Sequence, residues 1–319
     1  MKRIIAVCCC LLMVFSLAAC GSGGDDGKYT IGICQLIAHE ALDAATQGFM
    51  DAVKAELGEE NVVFDLQNAA GDSNTCSTIV NAFVASNVDL IMANATPALQ
   101  AAANATGDIP ILGTSVTEYG VALDIANFSG TVGGNISGTS DLAPLDDQAD
   151  MIVQWFPDVK KVGLLFCSAE PNSRYQVDTI QAMLEAKGVA CQQFSFTDSN
   201  DMAAVTQAAC DACDVIYVPT DNQVASGVTV IDGICRPAGV PIVTGEEGPC
   251  KVAGVATLSI SYYDLGVATG KMAAKILKGE ADISTMAIEY APEVTAKYNA
   301  EICEIYGLTP PEGYIAIGE

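Results

Sequence analysis

The chain has 319 residues, 50% of them hydrophobic, and its 39 acidic against 14 basic residues give a formal net charge of −25. So negative a chain repels phosphate backbones and anionic headgroups, which makes nucleic acids and anionic lipid surfaces poor partners. Beyond the first nineteen residues the only arginines are Arg174 and Arg236. An anionic ligand group would therefore be held mainly by helix N-termini and hydroxyls.

The first residues have the pattern of a bacterial secretion signal over 1–19. A basic pair, Lys2 and Arg3, precedes an apolar run at 4–15 that is too short to span a bilayer. Leu-Ala-Ala-Cys-Gly follows and resembles the lipobox of bacterial lipoproteins, in which the cysteine is acylated. We therefore predict lipidation at Cys20; the alternative is ordinary signal cleavage with this cysteine incidental.

A glycine-rich segment follows the signal, and with the acylated cysteine it forms a predicted flexible tether at 20–27, since it has no side chains to bury. No second long apolar run appears in the remaining sequence. We expect the mature protein in the cell envelope, lipid-anchored to the outer face of the bacterial cytoplasmic membrane.

From residue 28 the sequence alternates short apolar runs with longer helical stretches, which is typical of a parallel sheet covered by helices. The first series predicts strands at 29–34, 61–67, 90–93 and 109–113, and helices at 40–57, 75–85 and 97–105. A glycine-rich connection at 130–138, without apolar periodicity, ends this series. The series predicts one Rossmann-like lobe.

A second series repeats this order after the connection. It predicts helices at 148–156, 173–186, 202–210 and 224–235, and strands at 162–166, 189–194, 215–218 and 241–244. A strand is then predicted at 254–261, followed by a helix at 262–278 that is ended by Gly279 in the left-handed conformation. With these two elements the chain returns to the first lobe.

The predicted fold class is α/β, with two Rossmann-like lobes whose parallel sheets are joined by a multi-strand hinge. Such a hinge permits closure around a ligand. The predicted N-terminal lobe is 28–117 plus 254–285, and the C-terminal lobe is 118–253 plus 286–319.

Polar residues follow several of the predicted strands, where open parallel sheets bind their ligands. The predicted ligand-binding residues are Gln35, His39, Thr96, Ser115, Glu170, Asn172, Ser173, Thr220, Asp221, Asn222, Glu246 and Tyr262. Helix capping is an equal and compatible explanation for Thr96, Ser115 and Ser173. Tyr262 would line a slot for the ligand side chain.

The acidic members of this set, Glu170, Asp221 and Glu246, could neutralise an ammonium group in a closed, desolvated site. They could equally be solvated loop carboxylates. His39, the single histidine, either touches the ligand or caps and packs. The sequence lacks a nucleophile elbow, a Walker A loop and a dinucleotide-binding glycine motif after the first strand, so we predict no catalytic residues, no metal site and no enzyme activity.

Thirteen cysteines are many for an exported chain. Three lie in the signal and Cys20 is the proposed anchor, so nine remain, an odd number that leaves at least one thiol unpaired. The spacing of Cys210 and Cys213 allows a redox or metal pair, but without a second Cys/His pair it is not a zinc site. Several thiols, such as Cys34 and Cys167, are interpreted as small buried hydrophobes.

Four motifs carry a family resemblance: Ile-Gly-Ile-Cys-Gln at 31–35, Gly-Asn-Ile-Ser-Gly-Thr-Ser-Asp-Leu at 134–142, Pro-Thr-Asp-Asn at 219–222 and Tyr-Tyr-Asp-Leu-Gly at 262–266. With them the chain resembles the ABC-transporter substrate-binding lipoproteins of the TrpX-like group. The resemblance implies a type I periplasmic-binding-protein fold, ligand delivery to a permease, and no cofactor. It implies aromatic amino acids among the ligands.

The resemblance has two departures at the edges of the predicted pocket. Ala38-His39-Glu40 stands where Glu-His-Pro is familiar, and Arg174 stands where a neutral residue is more usual. Both bear on which ligand is bound.

These observations predict an extracellular solute-binding component of an ABC importer. Its partners would be a small polar ligand, an amino acid or related amine, and an ABC permease, with the membrane reached through the lipid; we expect a monomer. The alternatives are a surface sensor that passes its closed state to a receptor, and an enzyme on the same scaffold.

Overall fold

The computed structural model describes residues 27–291 and 293–318 of the chain. The predicted signal, the proposed anchor Cys20 and nearly all of the predicted tether lie outside the described residues. Within 27–291 and 293–318, no helix is both long and apolar enough to cross a membrane.

Strands and helices alternate along most of the chain, as the sequence predicts. The first series is β1 (Tyr29–Gln35), α1 (Glu40–Leu57), β2 (Val62–Asn68), α2 (Ser73–Ala85), β3 (Leu90–Asn94), α3 (Thr96–Ala105), β4 (Ile111–Val116), α4 (Tyr119–Ala122) and β5 (Ile136–Ser140). The second series is α5 (Leu145–Trp155), β6 (Lys161–Cys167), α6 (Pro171–Ala186), β7 (Ala190–Phe196), α7 (Ser199–Ala212), β8 (Val215–Val218), α8 (Asn222–Ala238), β9 (Ile242–Thr244), α9 (Glu247–Val252) and β10 (Gly254–Ser259). The remainder is α10 (Tyr262–Leu277), β11 (Glu289–Tyr290), β12 (Thr295–Tyr298), α11 (Ala300–Tyr306) and β13 (Ile315–Ala316), with 3₁₀ turns at Glu59–Asn61 and Ile283–Thr285.

The strands form two sheets, one in each lobe. The first has the order β11-β5-β4-β3-β1-β2 and the second the order β13-β12-β10-β9-β8-β6-β7. All neighbours are parallel except β12, which runs antiparallel to β10. Apolar residues of strands and helices fill separate cores in the two lobes. The predicted α/β fold with two parallel-sheet lobes is confirmed.

The chain crosses between the lobes at three places, and all three differ from the predicted boundaries. β5 belongs to the first sheet, although it falls in the predicted C-terminal segment 118–253. β10 belongs to the second sheet, although it falls in the predicted N-terminal segment 254–285. β11 belongs to the first sheet, although it falls in the predicted C-terminal segment 286–319. The crossings therefore follow β5, β10 and β11.

The strand β5 is missing from the prediction because its sequence, Ile-Ser-Gly-Thr-Ser, has almost no apolar side chains. All five residues are nevertheless buried, since β4 and β11 flank the strand and α10 lies against it. The short helices α4 and α9 are also absent from the prediction. Each has too few residues to show a helical period.

The helix α10 is fastened to the first lobe by an unusually close approach to α1. A Cβ atom on Gly48 would lie 2.1 Å from the Tyr263 carbonyl oxygen, and one on Gly266 would lie 2.0 Å from that of Ala45. Only glycine fits at such contacts. α10 is followed, as predicted, by Gly279 in the left-handed conformation (φ 71°), and its first residue, Tyr262, lies at the cleft between the lobes.

Candidate ligand-binding site

Four carboxyl groups are buried just beyond the carboxyl ends of strands. Asp141 follows β5, Glu170 follows β6, Asp221 follows β8 and Glu246 follows β9, and none is more than 4% exposed. They lie close enough together that the other three negative charges all act to raise the pKa of Glu246. The two lobes thus bring acidic groups from both sheets into one cluster.

This cluster has no protein cation to balance it. None of the ion pairs in the described residues includes any of the four carboxyl groups. Arg174 is turned elsewhere, because its guanidinium stacks over Phe166 at 4.6 Å and donates to Gln193. Burying an unpaired charge is costly, so each carboxyl group must be satisfied in another way or remain protonated.

Glu170 and Asp221 are satisfied by the N-terminus of α8. Glu170 accepts hydrogen bonds from the backbone amides of Asn222 (3.2 Å) and Gln223 (3.0 Å). Asp221 caps the helix by accepting from Val224 N (2.9 Å), and it also accepts from Cys167 N (2.7 Å). The amides of Asn222, Gln223 and Val224 carry the partial positive charge of the helix end. Capping, which the sequence suggested for the hydroxyl residues, is therefore the role of these two acids.

Asp141 and Glu246 are not satisfied in this way. The Tyr262 hydroxyl donates to Asp141 Oδ2 at 3.0 Å, while Asp141 Oδ1 and Glu246 Oε2 are buried with no hydrogen-bond partner among the described residues. Burial raises the pKa of Asp141. Burial and then the Asp141 charge raise the pKa of Glu246 to about 8. These two oxygens are free to accept hydrogen bonds from a ligand.

A hydrogen-bonded chain links the lobes beside this cluster. Asn222 Nδ2 donates to Glu170 Oε2 at 2.6 Å, which leaves Asn222 Oδ1 to face His39 Nε2 at 3.1 Å. Because Oδ1 can only accept, His39 must carry its proton on Nε2. Burial lowers the pKa of His39, which favours this neutral ring. Gln223 Nε2 adds a second link by donating to the Gly71 carbonyl oxygen at 3.2 Å.

The neutral predicted residues divide into bonded and available groups. Gln35 is committed within the first lobe, because it donates to Asp43 and accepts from Thr46. Thr220 donates its backbone amide to Gln176 at 3.0 Å and its hydroxyl to Gly245 O at 3.4 Å. Neither residue has a buried side-chain polar atom without a hydrogen-bond partner among the described residues, whereas Asp141 and Glu246 each have one.

Ser115 and Asn172 do have such atoms. Ser115 Oγ and Asn172 Oδ1 are buried without a partner in the described part of the chain. Asn172 Nδ2 donates to Glu170 Oε2 (3.3 Å) and Thr220 O (3.2 Å), which fixes the amide orientation. Ser115 lies in the left-handed region at φ 53°, a strained position for a serine that is typical of functional sites.

The two remaining hydroxyl residues begin helices. Thr96 is buried at the start of α3, directly after Ala95, which has φ 90°. Ser173 is fully buried in the first turn of α6 and donates to Asp221. Thr96 therefore lies near Ser115 at neighbouring strand ends, while Ser173 supports the capping carboxylate.

Asp141 and Asn94 are absent from the predicted ligand-binding residues. Asn94, at the end of β3, is fully buried and has an Oδ1 atom without a partner among the described residues. Asp141 was missed because the strand before it was not recognised. The sequence signal that could have found Asp141 is the polar run Thr-Ser-Asp at 139–141, and all three residues are buried in the structure.

A cavity of about 600 Å³ opens at one side of the cleft. Of the predicted residues, only Glu246 and Tyr262 line it, since most of the others are buried between the lobes. Its rim includes Lys251, which pairs with Glu40 of the first lobe and so joins the lobes at this edge. Across 27–291 and 293–318, no three His, Cys, Asp or Glu side chains are grouped to hold a metal ion.

A two-lobed α/β fold with a closed, polar site between its lobes defines a solute-binding protein of the periplasmic-binding-protein type. The family model for ABC transporter substrate binding protein matches residues 30–312, so the chain belongs to this family. The family and the solute-binding role predicted from the motifs are thereby confirmed. Members of this class bind solutes and are not enzymes.

Two of the relatives carry a named ligand. A tyrosine-binding protein of Clostridioides difficile is 34% identical over 252 residues, covering 78% of this chain and 73% of that protein. A domain from Streptococcus pneumoniae, solved in complex with L-Trp, is 31% identical with a TM-score of 0.86, covering 91% of this chain and 100% of that one. A Vibrio cholerae conserved domain protein is 28% identical with a TM-score of 0.86, covering 91% and 99%.

The lobes are arranged as in a ligand complex. The ligand-free, open structure of a substrate binding protein with adhesive properties from Clostridium difficile is 34% identical but has a TM-score of only 0.68, covering 91% of this chain and 99% of that one. The L-Trp complex is less identical yet superposes better over the same share of this chain. Together with the hydrogen bonds between the lobes, this difference in TM-score identifies the closed conformation.

Proposed function

We propose that the protein captures an amino acid, with tryptophan or tyrosine as the leading candidates, and holds its ammonium group between Asp141 and Glu246. The observation that carries this proposal is the pair of unpartnered, buried carboxylate oxygens in a cluster without a cation. An ammonium group has three donors and a positive charge, and it would satisfy both oxygens at once.

The other unpartnered atoms support a ligand that is rich in donors. Asn94 Oδ1 and Asn172 Oδ1 are acceptors, and Ser115 Oγ can donate or accept. With Asp141 Oδ1 and Glu246 Oε2, four of these five unpartnered atoms are acceptors. Tryptophan and tyrosine each carry a second donor, the indole N–H or the phenol O–H, besides the ammonium group. The named ligands of two relatives fit this pattern.

The carboxylate of the ligand would lie at the first lobe. Ser115 offers a free hydroxyl, and within the described residues the start of α3 has no side-chain cap, so no capping side chain occupies the N–H groups of Thr96 and Ala98; Pro97 between them has none. A helix N-terminus favours an anion. The Ser115 hydroxyl and the start of α3 would thus hold the carboxylate in place of an arginine side chain.

The test is calorimetric titration of ligand-stripped protein with tryptophan, tyrosine and phenylalanine, and with tryptamine and indole-3-propionic acid as matched analogues. We expect phenylalanine to bind about tenfold more weakly than the better of the other two, because it leaves one buried acceptor unpaired. Removal of the ammonium group in indole-3-propionic acid should abolish measurable binding. Equal binding of tryptophan and indole-3-propionic acid would falsify the ammonium site.

We further propose that the protein is anchored by lipid at Cys20 on the outer face of the membrane and delivers its ligand to an ABC permease. The lipobox-like sequence and the family support this role. In the native host, Cys20→Ala should release the protein into the medium and reduce uptake of the labelled ligand. Retention of the variant in the membrane fraction contradicts the anchor; unchanged uptake in a strain lacking the protein contradicts the delivery role.

A further inference from the structure

Two cysteines on adjacent helices lie in direct contact far from the ligand site. Cys210 on α7 and Cys235 near the end of α8 have their Sγ atoms 3.4 Å apart. Both belong to the apolar core between these helices and the second sheet. A disulfide bond is about 2.05 Å long, so its formation requires the two sulfurs to approach by about 1.4 Å.

This pair differs from the one that the sequence spacing suggested. Cys213 follows the end of α7 with extended backbone angles (φ −133°, ψ 155°), so its side chain leaves the helix face that carries Cys210. Its Sγ atom lies against β6, where a Cβ on Gly163 would be 3.2 Å away. Cys210 therefore contacts Cys235 on the neighbouring helix and not Cys213, its partner in the Cys-x-x-Cys spacing.

We propose that Cys210 and Cys235 form a reversible disulfide site that reacts with low-molecular-weight disulfides and links α7 to α8. All nine cysteines among the described residues are free thiols in this structure, so the site is in its reduced state. Closing the link joins residues 25 apart in sequence, which restricts the unfolded chain and stabilises the second lobe.

The environments of the two thiols set the order of the reaction. Cys210 is 9% exposed and Cys235 is fully buried, so Cys210 meets the external disulfide first. Burial raises the pKa of both thiols; the hydrogen bond with Cys235 opposes this rise at Cys210, whereas Cys210 adds to the rise at Cys235. The more acidic thiol is thus also the more accessible one.

The exchange has two balanced steps. The Cys210 thiolate attacks one sulfur of the external disulfide and forms a mixed disulfide, expelling one thiolate that takes up the proton lost by Cys210. The Cys235 thiolate then attacks the Cys210 sulfur and expels the second external thiolate, which takes up the Cys235 proton. The protein dithiol is oxidised by two electrons and the external disulfide is reduced to two thiols.

The test incubates the mature chain with oxidised glutathione, blocks the remaining thiols with an alkylating agent, and maps chymotryptic peptides without reduction. Cleavage after Tyr217 separates Cys210 from Cys235, so the link joins two peptides. We expect this linked species in the wild type and in the Cys213→Ser, Cys250→Ser double variant. It should be lost in Cys210→Ser and reversed by dithiothreitol.

Oxidation should also raise the Tm by about 5 °C or more. Ligand affinity should change by less than about threefold, because Cys235 lies roughly 20 Å along α8 from Asn222. Two results would overturn the proposal: Cys210 and Cys235 both remaining open to alkylation after denaturation, or a linked species that disappears in the double variant. The mass readout needs no ligand, so its failure is distinct from failure of the proposed function.

Discussion

The four buried carboxyl groups of the cleft form two pairs that resemble each other in burial and differ in their partners. Glu170 and Asp221 accept hydrogen bonds from backbone amides at the start of α8. Asp141 accepts from the Tyr262 hydroxyl, and Asp141 and Glu246 each retain a buried oxygen with no partner in the described residues. Burial by itself therefore does not distinguish the two pairs; an unsatisfied acceptor does.

The two pairs therefore have different roles. The capping pair holds the second lobe in shape and, through Asn222 and His39, joins it to the first lobe. The open pair is kept poor in hydrogen bonds at a cost in stability, which a cationic ligand group would offset. The variants below should separate stability from affinity, from the largest effect to the smallest.

The largest effect should come from Asp221→Ala in the capping pair. The change leaves the amides of Val224 and Cys167 without an acceptor in a buried setting, and we expect a loss of about 3 kcal/mol in the free energy of unfolding. Urea denaturation measures it. The control is Asp198→Ala, because Asp198 caps α7 in an exposed position and should cost about 1 kcal/mol or less. Equal losses in the two variants would show that Asp221 contributes no more to the free energy of unfolding than an exposed helix cap.

The next effect should be on affinity, from Glu246→Gln in the open pair. The variant keeps the shape of the side chain but removes its charge, so binding of an amino acid should weaken by about 30- to 100-fold. The ligand-free protein should unfold at the same temperature or higher, because a buried, unpartnered carboxyl is gone. Calorimetry checks the affinity, with exposed Glu280→Gln as control. An unchanged affinity would place the ammonium site elsewhere.

The open pair should also make the ligand-free protein less stable as the pH rises. Glu246 has a pKa of about 8 in the folded state and the ordinary 4.5 when unfolded, so between these values the folded state holds more protons. The free energy of unfolding must then fall with rising pH, by about 1.4 kcal/mol for each unit of pKa difference. Ligand affinity should rise over the same range, since an ammonium group binds the ionised form.

Thermal denaturation from pH 5 to 8.5, with and without the bound amino acid, measures both trends. Glu246→Gln should flatten the ligand-free curve in part, because burial also raises the pKa of Glu170 to about 8. A ligand-free curve that rises with pH over this range contradicts the assigned direction.

The smallest effect should come from His39→Ala, which removes a single hydrogen bond between the lobes. We expect a loss of about 1 kcal/mol in the closed state, or roughly fivefold in affinity, with little change in the stability of either lobe. His39→Gln is the control, since its amide can still donate to Asn222 Oδ1. Calorimetry measures the affinity, and the radius of gyration with and without ligand measures closure. If neither changes, the hydrogen bond between His39 and Asn222 does not stabilise the closed state.

Much of the fold was accessible from the sequence because it depends on local periodicity. The helix at 40–57 and the strand at 215–218 were predicted with the bounds that the structure has. Their apolar spacing matches one period over their whole length. The strand Ile136–Ser140 was not accessible, because its burial comes from neighbouring strands and α10 and not from its own side chains.

The sequence by itself determined the α/β class, the two lobes, the family motifs and the strand ends at which polar residues gather. Only the tertiary structure decided which acids cap α8, which remain open, where the chain crosses between lobes, and that Cys210 meets Cys235 and not Cys213. The reason is that hydrogen-bond satisfaction is a property of contacts between distant segments. Asp141 and Glu246, 105 positions apart in the sequence, become one site only when both sheets are folded and closed.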